Sequence, residues 1–547
     1  MTKTWWKEAV IYQIYPRSFK DSNGDGIGDL KGITQKLDYL VLLGIDVLWL
    51  SPIFKSPNDD NGYDVSDYCA IMEEFGTMAD FDELLEKAHN KGLKIILDLV
   101  VNHSSDEHAW FRASRQSDDN TYSDYYIWEK EKPNNWQSFF GGDAWEYDEL
   151  REAYFLHLFT KKQPDLNWEN PKVREEVYKL MRFWYDKGVD GFRMDVIPLI
   201  SKRPGFPDAP NENFENTINT IYANGPRVHE FLQEMTAQTN AHYDVMTVGE
   251  GIGVSKENCL DYVASDRKEL DMLYHFDHLF LGYEGGDRLN SHGFTLVEVK
   301  QIFREWQEAI GDSGWLNICL DNHDFARMVS RFGNDQVYRI EAAKLLATLL
   351  LSQKGTPCIY QGSEIGMTNV AFPTIEDYDD VANLSTIAEW RAEGRDMKEL
   401  LRRIQEGGRD NARTPVQWDN SPNAGFTTGE PWLKINPNYP IINVENALAD
   451  TDSIFYYYQK MLSLRKQHKT LVYGAYTEYL PNHSDVYFYE MGGEEKRYLV
   501  LLNFSDITQA IFGVPDFSKA LLLIGNYETV NNTKHLAPWE ARVYEIT

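Results

Sequence analysis

Three acidic residues stand at the ends of short apolar runs, far apart in the chain. They are Asp195 in GFRMD, Glu250 in VMTVGE and Asp324 in NICLDNHD. Apolar runs of this length can be buried parallel strands. A carboxylate just past such a strand lies on the carboxyl-terminal rim of an α/β sheet or barrel, where those folds keep their chemistry. Paired carboxylates on one rim can act as acid, base or nucleophile on a sugar bond. Other rim positions carry Asp98 and His103 in DLVVNH, Arg193 in GFRMD, His323 in NHD, Asp64 in NGYDVSDY and Arg409 in GRDNARTP. One such acid alone would be read as a helix cap or a surface charge. Several acids with two histidines and two arginines at successive strand ends are poorly explained that way. Arg193 stands two residues before Asp195, so in a strand both side chains share a face. Its cation favours an ionised Asp195, as a nucleophile requires.

Eight strand candidates must position these groups: 9–15, 46–50, 94–100, 191–196, 244–249, 271–276, 315–320 and 356–361. Charged amphipathic segments separate them. One of these, 170–188, opens on Asn-Pro and closes on Gly, which are helix start and stop signals. The alternation predicts a (β/α)8 barrel. The barrel is assigned to 1–103 and 170–470. An insertion at 104–169, after the third strand, reads as a small protruding domain. A second insertion, 362–450, follows the eighth strand; rim loops of such length are usually functional. From 471 onward short strands alternate with turn signals, which predicts a C-terminal antiparallel β-sandwich.

With 547 residues the chain is long enough for two to four domains. The net charge of −31 disfavours nucleic acid and anionic membranes as partners. No apolar stretch reaches the roughly 18 residues of a membrane span. The opening MTKTWWKEAVIYQIYPRSF lacks the apolar core of a secretion signal, so a cytoplasmic location is expected. Cys69, Cys259, Cys319 and Cys358 show no paired spacing, which argues against a disulfide framework or a zinc site. A monomer is expected.

The segment DSNGDGIGDL places oxygens at Asp21, Asn23, Asp25 and Asp29, with the Ile27 carbonyl between them. Alternating Asp and Asn around glycines suits a hard cation such as calcium. Gly32 stands where an EF-hand would have its bidentate Glu. An Asx-rich turn without metal is the other reading.

The motifs DLVVNH, GFRMD, VGE and NHD, in this order and spacing, resemble those of the α-amylase superfamily of glycoside hydrolases. QPDLNWENP, GTPCIYQGSEIGMTN, GRDNARTPVQWD and AGFTTGEPWLKINPNY are similar to oligo-1,6-glucosidases and dextran glucosidases. The resemblance covers essentially the whole chain. It implies Asp195 as nucleophile, Glu250 as general acid and then base, and Asp324 as stabiliser of an oxocarbenium-like transition state. Glu250 must begin protonated, which burial or neighbouring carboxylates would favour. Carboxylates roughly 5–5.5 Å apart would give a retaining double displacement. The resemblance further implies that His103, His323 and Gln163 bind sugar, that Tyr63 stacks on the glucose ring, and that Asp64 pairs with Arg409 to close the pocket. Val196, after the nucleophile, accompanies α-1,6 activity in the resembling family, where Thr accompanies α-1,4 preference. Structural calcium, with magnesium as the other option, is implied for the 21–29 loop. The aromatic stretches 109–114 and 134–145 are candidate sugar subsites.

The substrate expected is a small oligosaccharide such as isomaltose. Sucrose isomerases and trehalose-6-phosphate hydrolase resemble the same motifs. GYEGGDRLNSHG (282–293) departs from the arginine-rich loop of the isomerases, and Phe325-Ala326 replaces the family's usual Gln-Pro after NHD. A non-catalytic, transporter-associated relative would need a membrane span or lost carboxylates.

Overall fold

The computed structural model describes residues 4–210, 213–493, 496–528 and 533–546. Eight parallel strands lie at each expected place. They are β1 (Ile11–Ile14), β2 (Val47–Leu50), β3 (Lys94–Leu99), β4 (Gly191–Met194), β5 (Met246–Glu250), β6 (Met272–Tyr274), β7 (Asn317–Ile318) and β8 (Thr356–Tyr360). Their order, β6-β5-β4-β3-β2-β1-β8-β7, together with a parallel bridge between Leu273 and Leu316, closes them into a (β/α)8 barrel. Almost every strand residue is buried, because helices cover the outside and side chains fill the inside. That is why each strand reads as an unbroken apolar run.

The helix Pro171–Lys187 sits where its punctuation predicts. The Asn170 side chain accepts from the Lys172 N–H at 2.9 Å, and Gly188 ends the helix in the left-handed region. Its buried face, Val173, Val177, Met181 and Trp184, follows the helical period onto the barrel. The helix Arg339–Ser352 is instead buried on all sides from Ala342 onward. The C-terminal sheet covers the face that water would otherwise wet, and Ser352 Oγ meets Tyr489 Oη at 2.6 Å.

That sheet has five antiparallel strands, Ala475–Tyr479, Val486–Gly492, Arg497–Asn503, Ala541–Ile546 and Leu521–Gly525, in that spatial order. Alternate residues serve two cores. Tyr487, Tyr489, Val500 and Leu502 join the barrel's apolar cluster, while Phe488 and Leu501 pack beneath the ribbon of Gln509–Ala510 and His535–Leu536. The first insertion holds a three-stranded sheet of Trp128–Glu129, Ala153–Leu156 and Trp145–Asp148. The second carries helices Val381–Glu393 and Met397–Gly407 with a small core of their own around Trp390, Leu400 and Ile404.

Strand register brings the chemistry together. Gly191 pairs with Met246 and Met194 with Gly249, so Asp195 and Glu250 follow as the next neighbours. Gly191 has φ +156°, and a Cβ there would lie 2.1 Å from the Met246 carbonyl oxygen. A side chain would push β4 and β5 apart. Gly191→Ala is therefore expected to cost at least about 2 kcal/mol of unfolding free energy. Urea denaturation would show it, and an unchanged midpoint would contradict the close approach.

Candidate active site

The site is built around Arg193, buried inside the barrel. Its Nη1 donates to Asp98 Oδ1 and Asp195 Oδ1, both at 2.7 Å. Its Nη2 lies 2.7 Å from Glu250 Oε2, and the guanidinium also donates to Tyr274 Oη. Asp98 faces Arg193 across the β3–β4 ladder, which is why the two side chains meet. Asp195 follows β4, its N–H bound to the Leu99 carbonyl at 3.0 Å. The chain then turns through Val196 at φ +36°, a left-handed conformation that β-branched residues rarely adopt. The turn aims the Val196 N–H at Glu250 Oε2, 2.8 Å away. Strain of this kind persists where surrounding structure imposes it, often at functional sites.

Three carboxylates on one guanidinium carry excess negative charge in a buried space. Burial pushes Asp195 well above its ordinary range, and Glu250 and Asp98 push it further, against the pull of Arg193. Burial raises Asp98 to about 6 against the pull of Arg193. Asp195 and Asp98 therefore bind protons more readily than exposed carboxylates would. Glu250 Oε2 already faces two donors, Arg193 Nη2 and the Val196 N–H, which leaves Oε1 as the other oxygen of that carboxyl.

Asp324 is treated oppositely. Its Oδ1 lies 3.2 Å from both Arg409 and Arg413, and Arg288 donates to its backbone carbonyl at 2.9 Å. Burial opposes its charge, but His323 and these three arginines hold it far below the usual carboxylate range. Burial lowers His323 itself to about 3, so at neutral pH the arginines are what keep Asp324 ionised. His323 stacks on Tyr63 with ring centroids 5.3 Å apart, and its Nε2 meets Tyr63 Oη at 2.7 Å. Tyr63 passes the chain on, donating to Asp98 Oδ2 at 3.0 Å. Burial lowers His103 to about 4, and its Nε2 donates to the Tyr63 carbonyl. Both imidazoles are thus neutral donors and acceptors, suited to hydroxyl groups.

Tyr63, His103, Gln163, Asp195, Val196, Glu250, His323, Asp324 and Arg409 all line one cavity of about 570 Å³. Asp64 does not. It accepts from Ser56 Oγ and from the N–H groups of Asp59 and Asp60 at 2.9–3.1 Å, and so ties a turn together. The expected Asp64–Arg409 pair is replaced by Asp60, 3.3 Å from Arg409 Nη2, and by Asp380 at 2.7 Å from the same nitrogen. Arg409 thereby joins the β2 loop to the second insertion across one end of the cavity. Sequence reading missed Asp60 and Asp380, along with Arg413. The run NDDNGYD offers five acid or amide side chains, and only the fold of the turn decides which one faces in. Gln163 Nε2 holds Asp60 Oδ2 and the Tyr63 carbonyl, both at 3.3 Å.

The aromatic stretches divide. Phe139 and Phe140 line the cavity, but Trp136 and Trp145 are core residues of the insertion. Trp110 packs against His108 and Tyr125 instead of facing the cavity.

The 21–29 loop forms as one compact turn. Asp21 accepts from the N–H groups of Asn23, Gly24 and Gly26, Asn23 from that of Asp25, and Asp25 from that of Ile27. Asp29 caps the following helix through the Gly32 N–H. The loop satisfies its own N–H groups, and the described residues bring together no cluster of three or more His, Cys, Asp or Glu side chains fit for a metal. The oxygen-only set nevertheless suits a hard cation, since each carboxylate oxygen keeps further lone-pair capacity.

Asp195, Glu250 and Asp324 thus face one cavity that Arg409, Asp60 and Asp380 close at one end, an arrangement suited to an enzyme that cleaves glycosidic bonds. The chain matches the model of the alpha amylase catalytic domain over residues 13–474 and belongs to that family of glycoside hydrolases. It is 54% identical to an oligo-1,6-glucosidase of Parageobacillus thermoglucosidasius, covering all of both chains. It is 52% identical to an oligo-1,6-glucosidase of Bacillus cereus, again covering all of both. Among solved structures, trehalulose synthase from Pseudomonas mesoacidophila MX-45 superposes with a TM-score of 0.96 at 44% identity, covering all of both chains.

Burial also raises Asp60 to about 6. As pH falls through 6, Asp60 and Asp98 gain protons together while Asp324 does not. The acid limb of kcat/KM is therefore expected near pH 6, as a pH–rate profile would show. A limb near pH 4 would mean that these carboxylates behave like exposed ones.

Proposed function

We propose that the protein is an exo-acting, retaining α-glucosidase that removes terminal α-1,6-linked glucose from isomaltose and short oligosaccharides. The observation that carries this reading is the Arg193 cluster facing a cavity whose far end is shut by Arg409, Asp60 and Asp380. A chain end fits such a space, whereas the middle of a polymer could not run through it. In the first step Asp195 attacks C1 of the glucose, and the C1–O bond breaks. The proton on Glu250 Oε1 goes to the departing oxygen. In the second step Glu250, now a carboxylate, takes a proton from water, whose oxygen attacks C1 and frees Asp195. Asp324, fixed as an anion, stabilises the positive charge that develops on the sugar ring in both steps.

The α-1,6 preference rests on Val196, which lines the cavity beside the nucleophile. Val196→Thr preserves the β-branch, so the left-handed turn and its hold on Glu250 should survive. Steady-state assays should show isomaltose hydrolysis in the wild type, essentially none in Asp195→Asn, and a maltose-to-isomaltose ratio roughly 10-fold higher in Val196→Thr. An unchanged ratio would remove Val196 from the assignment. The likeness to trehalulose synthase makes sucrose isomerisation the second reading, and isomaltulose or trehalulose formed from sucrose would favour it.

We also propose that calcium, or magnesium in its place, binds the 21–29 loop through Asp21, Asn23, Asp25, Asp29 and the Ile27 carbonyl. Such a cation would brace the turn and take no part in catalysis. Removing it with EDTA should lower the melting temperature by at least about 3 °C while isomaltose turnover at low temperature persists. A metal-free protein with unchanged melting would end the assignment. A cytoplasmic location fits the free cysteines, including the exposed Cys69. No described helix is long and apolar enough to cross a membrane. A monomer is the oligomeric state we propose.

A further inference from the structure

Every N–H of the Arg193 guanidinium meets an acceptor, and not all of these are carboxylates. Nη1 serves Asp98 and Asp195, and Nη2 faces Glu250. The two hydrogens that remain, on Nε and Nη2, go to a single oxygen, Tyr274 Oη, at 3.1 and 2.7 Å. A guanidinium carries five such hydrogens, so one phenol takes two of the five. The chemistry proposed above gives Tyr274 no task.

The phenol is held where it is. Tyr274 ends β6 and stands opposite Glu250 in the β5–β6 ladder. Its carbonyl accepts from the Gly251 N–H at 3.0 Å, and a Cβ on Gly251 would lie 2.7 Å from that oxygen. Its ring is buried against Trp49 and Phe276, with centroids 6.4 and 5.5 Å away. The phenol is therefore a fixed post, and the guanidinium orients to it.

The consequence falls on Glu250. One Nη2 hydrogen is available to its Oε2, 2.7 Å away, because Tyr274 holds the other. Without the hydroxyl, two donors would be left unpaired in a dry space, which is costly. The freed Nη2 already lies against Glu250, so its relaxation is toward that carboxylate. A cation drawn closer favours the carboxylate anion over the acid. The other titratable groups around Glu250 would be unchanged. They are Asp98 from β3, Asp195 after β4, Cys319 after β7, Tyr63 in the loop after β2, and His323 and Asp324 across the cavity.

We propose that Tyr274 is a positioning residue for the acid/base step: by holding Nε and Nη2 it keeps Arg193 from closing on Glu250, which can then carry the proton it donates. This rests on the glycosidase reading above, which wild-type turnover of isomaltose tests by itself. The test is the pH profile of kcat/KM in Tyr274→Phe, which keeps the ring and removes the oxygen. On the disaccharide that the wild type cleaves fastest, the alkaline limb should move at least about 0.5 pH unit lower. α-Glucosyl fluoride has a leaving group that needs no proton, so at about pH 8 the loss on the disaccharide should exceed the loss on the fluoride roughly 3-fold. Placing 3-fluorotyrosine at position 274, nearly isosteric and a weaker acceptor, should move the limb the same way by less, and it supplies the reading if Tyr274→Phe does not fold. An alkaline limb that stays or rises, or equal losses on both substrates at every pH, would mean that Tyr274 only packs the barrel. Either result would overturn the proposal.

Discussion

A single buried guanidinium sets the terms for the rest of the molecule. Arg193 could not be charged inside a barrel without anionic partners, because an unpaired buried charge costs several kcal/mol. It receives three, Asp98, Asp195 and Glu250, from three adjacent strands. That requirement fixes the register of β3, β4 and β5 and demands the close approach at Gly191. The surplus of carboxylates has a chemical result. Three acids crowded on one cation raise the proton affinity of Asp195 and Asp98 within a site only a few ångströms across. Arg193 is thus a structural keystone and also an electrostatic one.

The second arginine group works the other way. Arg409 and Arg413 outweigh burial at Asp324 and Asp380 and hold both as anions. One rim therefore carries two kinds of carboxylate, separated by how many cations each group is given. Pushing neighbouring acids in opposite directions is how a protein assigns acid and base roles at one pH. The neutral histidines complete the division, since they can bond hydroxyls without disturbing either charge balance.

The barrel was legible because its strands are buried on both faces, so that each appears as an apolar run ending in a polar rim residue. Asp195, Glu250 and Asp324 could be found for that reason. The helix at 171–187 was legible from its Asn-Pro start and its Gly stop. What could not be read were contacts that depend on loops meeting across the rim. Arg413 of the second insertion reaches Asp324, and Asp380 pairs with Arg409 and Arg413, only through tertiary structure. Asp60 and Asp64 are four residues apart in one turn, and the side chain that caps the turn is the one that cannot face the sugar. Val196 gave no hint of its backbone, since a β-branched residue in an apolar run would ordinarily be placed in a strand. Tryptophans of the first insertion read equally well as core or as subsite, because both environments favour flat apolar rings.

The central claim is that the Arg193 cluster makes Asp195 the attacking group. The direct measurement is to trap the glucosyl-enzyme with a fluorinated α-glucosyl fluoride, whose second step is slow, and to locate the label by mass spectrometry after proteolysis. The account predicts one sugar on the peptide that contains Asp195, and none when Asp195 is replaced by Asn. A label on Glu250 or Asp324 would contradict it, as would release of β-glucose as the first product.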